Sequence, residues 1–120
     1  SGEKVSEIIT KIEHEKLLGI ILSCISPENY NLNLEEIKSL GVPFGFKLNA
    51  FIKTNPKPNY TGAYNKSKTG NPNEFLGQRK DLTPEKLFEF AKRFNDAGAT
   101  IIGGCCEIRP SHIKKFSSLK

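Results

Sequence analysis

The sequence predicts an α/β fold with a parallel sheet, and three observations carry that expectation. Short apolar runs fall at 17–23, 44–52 and 99–102, and the first, LLGIILS, lacks the polar alternation of a strand with one wet face. Segments with apolar residues at helical spacing lie before, between and after these runs. The two kinds alternate along 120 residues, which is room for one domain and one hydrophobic core.

Each element has its own signal. Val5, Ile8, Ile9 and Ile12 share a face of a helix predicted over 5–16. The strand at 17–23 is expected to be buried on both faces and to end at Cys24. After Ser26-Pro27-Glu28-Asn29, residues Leu34, Ile37 and Leu40 form a second helical stripe, stopped by Gly41 and Pro43. A second strand follows over 44–52. Thr83, Pro84 and Glu85 then read as an N-cap, a proline at the first helical position and an acid in the first turn. Leu87, Phe90, Ala91 and Phe94 give that helix its apolar stripe, and Asn95 to Gly98 end it. The third strand, 99–102, runs into Gly103-Gly104-Cys105-Cys106. Pro110 and Ser111 open a last helix carrying Ile113, Phe116 and Leu119. Strands alternating with helices of this size imply parallel pairing through right-handed crossovers. Three strands suit a small open sheet or part of a (β/α)8 barrel, which needs eight strands and about 250 residues.

Residues 53–80 differ in character, being rich in Asn, Pro, Gly and Lys. So long an irregular connection in a compact domain points to a lid or binding loop, with disorder as the competing reading.

Composition excludes several classes. Eighteen Lys and Arg against thirteen Asp and Glu give a net charge of +5. No basic run alternates with aromatics as a nucleic-acid platform requires, so no nucleic-acid partner is expected. No run approaches the roughly 20 apolar residues of a membrane helix, so no membrane association is expected. The opening SGEKVSEIIT has no signal-like apolar stretch, and a cytoplasmic setting follows as the expectation. Three cysteines are too few for a disulfide framework and point to metal binding, catalysis or burial.

All three cysteines fall where strands end, and in parallel α/β folds the loops at that edge converge on one face. Cys24, Cys105 and Cys106 are therefore expected to meet in space. Adjacent cysteines in an extended strand point to opposite faces, so both reach one metal only if the backbone turns there. Gly103-Gly104 is expected to supply that freedom. Three thiolates with one open position form the pattern of a catalytic zinc, whereas structural zinc takes four protein ligands. Burial as a small hydrophobe competes for Cys24, and a strained vicinal disulfide competes for Cys105-Cys106. His14 and His112 are candidate fourth ligands, with simple exposure as the alternative.

The segment GGCCEIRPSHI, residues 103–113, resembles the last-strand motif of the homocysteine S-methyltransferase family: GGCC, a few variable residues, then Pro, His and Ile opening a helix. Leu22-Ser23-Cys24 is similar to the family's sixth-strand ending, where Asn usually precedes the Cys. Leu48-Asn49-Ala50 is similar to the Pro-Asn-Ala that ends its seventh strand. The resemblance spans 17–120. It implies the C-terminal portion of a (β/α)8 barrel, strands six to eight, with residues 1–120 forming one partial domain. It implies Zn2+ held by Cys24, Cys105 and Cys106, with Asn49 beside the metal as a catalytic residue. The implied substrates are homocysteine and a small methyl donor, the product is methionine, the long 53–80 connection resembles the betaine-type branch of the family, and the isolated chain, without the first five strands, is expected to be inactive. Tyr60, Tyr64 and Phe75 are candidates to face a cationic donor, against ordinary loop anchoring. An alternative is a non-catalytic zinc or thiol module that needs a partner to complete the barrel. Cut strand edges imply self-association, or pairing with the remaining barrel half.

Overall fold

The computed structural model describes residues 3–12, 16–52 and 76–119. In chain order the elements are α1 (Val5–Ile9), β1 (Ile20–Ile25), α2 (Pro27–Leu32), α3 (Leu34–Lys38), β2 (Phe44–Leu48), α4 (Pro84–Asp96), β3 (Ile101–Gly104) and α5 (Pro110–Phe116). The strands form one parallel sheet in the order β1-β2-β3. The expected α/β class and parallel pairing are therefore present.

Boundaries move for identifiable reasons. β1 starts at Ile20, where the Ile20 N–H donates to the Pro43 carbonyl. Among the described residues no strand pairs with those before it, and Leu18 is 93% exposed. β1 is also not buried on both faces as expected, because it lies at the sheet edge and Ile21 remains 45% exposed. The helix predicted over 5–16 is regular only to Ile9; its residues 13–15, with His14, lie outside the described residues. Helix α2 begins earlier than the apolar stripe implied. Ser26 caps it, accepting from the Asn29 N–H at 3.3 Å, and Pro27 occupies the first turn. The same cap grammar opens α4, where the Thr83 hydroxyl accepts from the Lys86 N–H. Residues 53–75 of the long connection, including Tyr60, Tyr64 and Phe75, lie outside the described residues.

The core joins the sheet to the helices through aromatic rings. Tyr30 of α2, Phe46 of β2, Phe94 of α4 and Phe116 of α5 are buried together. Tyr30 meets Phe94 at 4.6 Å and Phe46 at 5.5 Å between ring centroids, and Phe46 meets Phe116 at 6.4 Å. These are tilted or edge-on contacts, which ring quadrupoles favour. The Tyr30 hydroxyl donates to the Gly45 carbonyl at 3.1 Å, so its polar end is satisfied. Burial pushes the Tyr30 phenol up to about 12. Leu22, Phe46 and Ile102 point into this core from adjacent strands, while Ile21, Ser23 and Lys47 occupy the opposite, exposed face.

Two outcomes follow. Phe46→Ala removes the ring shared by three elements and lowers stability by about 3–5 kcal/mol in chemical denaturation. Tyr30 remains a phenol in the folded chain after an unfolded-state tyrosine has ionised. Its stabilisation is therefore complete below pH 10 and lost as pH rises toward about 12. Tyr30→Phe flattens that alkaline limb in pH-dependent melting.

Candidate metal centre

The three thiols reach one point because each strand exit departs from regular extension. In β1, Ser23 pairs with Lys47 and Ile25 with Leu48, leaving Cys24 as an extra residue in a bulge. Cys24 has φ 57, the left-handed region that non-glycine residues seldom occupy. The bulge breaks the in-out alternation, so that Ser23 and Cys24 are both exposed. At the end of β3 the chain turns at once: the Ile108 N–H donates to the Cys105 carbonyl at 3.1 Å, and Glu107 takes φ 61. The Glu107 side chain is only 6% exposed, and its carboxylate pairs with Arg109 at 2.7 Å.

Gly103 and Gly104 play a different part from the expected one. Both remain in β3, and the left-handed dihedrals fall on Cys24 and Glu107 instead. Gly104 is needed for space. A Cβ there would overlap the Ile108 side chain, which the tight turn folds back over the strand.

The thiol geometry suits a metal. Cys24 Sγ and Cys105 Sγ each lie 3.8 Å from Cys106 Sγ, and all three sulfurs lie within 4.8 Å of one another. Tetrahedral zinc with bonds of about 2.3 Å requires sulfurs about 3.8 Å apart. All three thiols are free, so the vicinal disulfide is absent. Burial pushes the Cys105 thiol up, but hydrogen bonding from Cys24 and Cys106 and the Lys47 ammonium outweigh this and leave it below the usual thiol range. Cys106 is pushed up to about 12 by burial and by its two thiol neighbours. The cluster shares a first negative charge readily and resists further ones until a cation enters.

Asn49 lies between the strand ends and is 3% exposed. Its Nδ2 donates to the Cys24 carbonyl at 2.5 Å and lies 3.8 Å from Cys24 Sγ, while its Oδ1 accepts from the Phe51 N–H at 3.2 Å. Its neighbours act through the backbone. The Leu48 carbonyl accepts from the Cys105 N–H at 2.7 Å, and the Ala50 N–H donates to the Cys106 carbonyl at 3.0 Å. Only Asn49 of this trio had a side-chain signal in the sequence; the backbone roles of Leu48 and Ala50 had none.

His112 is neither exposed nor a ligand. It is buried, its Nδ1 accepts from the Arg109 N–H at 3.0 Å, and its Nε2 lies 3.0 Å from the Leu82 carbonyl. With Nδ1 accepting, the proton sits on Nε2 and is donated to Leu82, so neither nitrogen has a lone pair to give. The histidine closes a capping box at the start of α5.

The family model for homocysteine S-methyltransferase matches residues 1–119. No solved structure matches the chain.

Asn49→Ala frees the Cys24 carbonyl and is expected to weaken zinc binding about 10–100-fold in competition with a chromophoric chelator. Because metal uptake must displace thiol protons, that of Cys106 above all, apparent affinity rises from about pH 6 to about pH 8 in the same assay.

Proposed function

The chain belongs to the homocysteine S-methyltransferase family, and from that premise we propose that Cys24, Cys105 and Cys106 hold zinc for methyl transfer to the thiol of homocysteine, giving methionine. The observation that carries this reading is the convergence of three thiols from two strand ends, all within 4.8 Å of one another and two pairs at 3.8 Å. In the same reading, β1, β2 and β3 are the sixth to eighth strands of a (β/α)8 barrel.

Bound there, zinc supplies a Lewis acid that favours the deprotonated form of a substrate thiol at neutral pH. Cys24, Cys105 and Cys106 would hold the metal and would leave one position open to a thiol. The protein's own groups set the approach. Cys24 is exposed, so the cluster opens toward solvent rather than into the aromatic core. Asn49 is a positioning residue, because both ends of its amide are spent holding Cys24 and the turn at Phe51. The homocysteine sulfur forms its bond to the methyl carbon as the bond between methyl and donor breaks, and that electron pair leaves with the donor. Donors of the right chemistry are a sulfonium, a quaternary ammonium such as betaine, or a methylated cofactor.

One feature favours a second reading, in which this chain is a non-catalytic metal-binding module that needs a partner to complete the barrel. The sheet face carrying Ile21, Ser23 and Lys47 is exposed, and β1 and β3 each have an outer edge that pairs with no strand among the described residues. In that reading a second copy, or further barrel strands, covers this face.

The zinc-loaded chain alone is expected to be inactive, and methionine formation from homocysteine and one of these donors, read by mass spectrometry, is expected once the remaining barrel strands are supplied. Cys106→Ser is expected to reduce the rate by more than about 100-fold, since even the outer partners of metal ligands are worth 10–100-fold. Zinc binding with no methionine formed even when further barrel strands are supplied would select the second reading.

A further inference from the structure

Lys47 is a basic residue on the exposed face of the sheet, on the strand between the two strand ends that carry the thiols. It lies in β2, in register with Ser23 of β1 and Gly103 of β3, one position before Cys24 and two before Cys105 along the flanking strands. The bulge at Cys24 turns that thiol out on the exposed side, beside Ser23. The lysine stem runs over Gly103, where a Cβ would come within 3.2 Å of Lys47 Cγ, so the missing side chain clears its path. Lys47 is exposed and forms no ion pair or hydrogen bond among the described residues. By contrast, the nearby Arg79 and Arg109 are both committed to carboxylates.

An ammonium left unpaired on the strand between two thiol-bearing strand ends has a use in selecting what binds there. A loaded three-thiolate zinc carries a net charge of −1 and by itself repels an anionic substrate. A cation on the approach face offsets that repulsion, and it does most for a thiol carrying a carboxylate, which it can hydrogen-bond with charge assistance. We propose that Lys47 is a specificity-determining residue whose ammonium receives the carboxylate of the thiol substrate, so that the site favours thiol acids over uncharged thiols. This deepens the methyl-transfer reading and rests on it.

The test loads the full chain with cobalt(II) and follows the thiolate-to-cobalt absorption as thiols are added. Homocysteine is compared with 2-mercaptoethanol in the parent, Lys47→Met and Lys47→Arg. Lys47→Met is expected to weaken homocysteine binding about 10–100-fold, as loss of a charged hydrogen bond does, and to leave 2-mercaptoethanol unchanged. Lys47→Arg keeps the charge and is expected to retain most of the preference. Equal weakening of both thiols would overturn the proposal, since Lys47 would then serve only the cysteine thiolates. No change for either thiol would overturn it as well. A parent chain that takes cobalt but binds neither thiol would sink the methyl-transfer reading, and this proposal with it. A parent that binds both thiols, with no selective loss in Lys47→Met, would sink this proposal alone.

Discussion

The structure depends on the three residues that leave β2. Leu48 holds the backbone of Cys105, Asn49 holds that of Cys24, and Ala50 holds that of Cys106. The cysteines come from sequence positions 81 and 82 residues apart, yet their spacing is set by hydrogen bonds to one short segment. A parallel sheet makes this possible, because its middle strand delivers its exit between those of its two neighbours. Asn49 adds a side-chain bond where the bulge at Cys24 has removed a regular ladder partner. Unmet, that buried amide would cost the desolvation of its polar atoms, so the contact fixes Cys24 firmly.

Departures from regular geometry gather at the same edge. Cys24 and Glu107 are the non-glycine residues with left-handed dihedrals among those described, and they flank the thiol cluster on either side. Each such residue costs on the order of 1 kcal/mol or more and persists only where surrounding structure enforces it. That enforcement comes from below, where Tyr30, Phe46, Phe94 and Phe116 lock the helices to the sheet. It also comes from the side. Arg79, whose backbone N–H bonds the Ala50 carbonyl, reaches Glu28 at 2.8 Å and Asp81 at 2.7 Å. The guanidinium holds both carboxyls below the usual range. The return of the chain from the long connection is thereby tied to the start of α2 and to the exit of β2. His112 performs a similar service for α5, linking its first turn to Leu82.

Much of this was legible in the sequence, for physical reasons. Apolar runs and helical stripes report burial, and burial decides element type, so the α/β class and the alternation of strands and helices along the chain could be read directly. The cysteines could be placed together because the strand-end rule is topological. What the residues do locally was harder to read. Gly103-Gly104 signalled an unusual backbone, but the signal was about volume near Ile108 and Lys47, not dihedral freedom. His112 looked like a surface or ligand histidine because its two partners are main-chain groups that no side-chain pattern reveals. The burial of β1 was overestimated because LLGIILS records hydrophobicity and not whether a strand sits at an edge. Lys47 was one lysine among many until its register placed it beside the thiols.

The central claim is that one metal is held by all three cysteines, and sulfur-counting by X-ray absorption on the zinc-loaded chain tests it most directly. The account predicts three sulfur neighbours at about 2.3 Å and one lighter atom or exchangeable ligand completing the site. One or two sulfurs, with the remaining positions filled by nitrogen or oxygen, would contradict it, because the exit of β2 would then not be holding the two strand ends at a common centre.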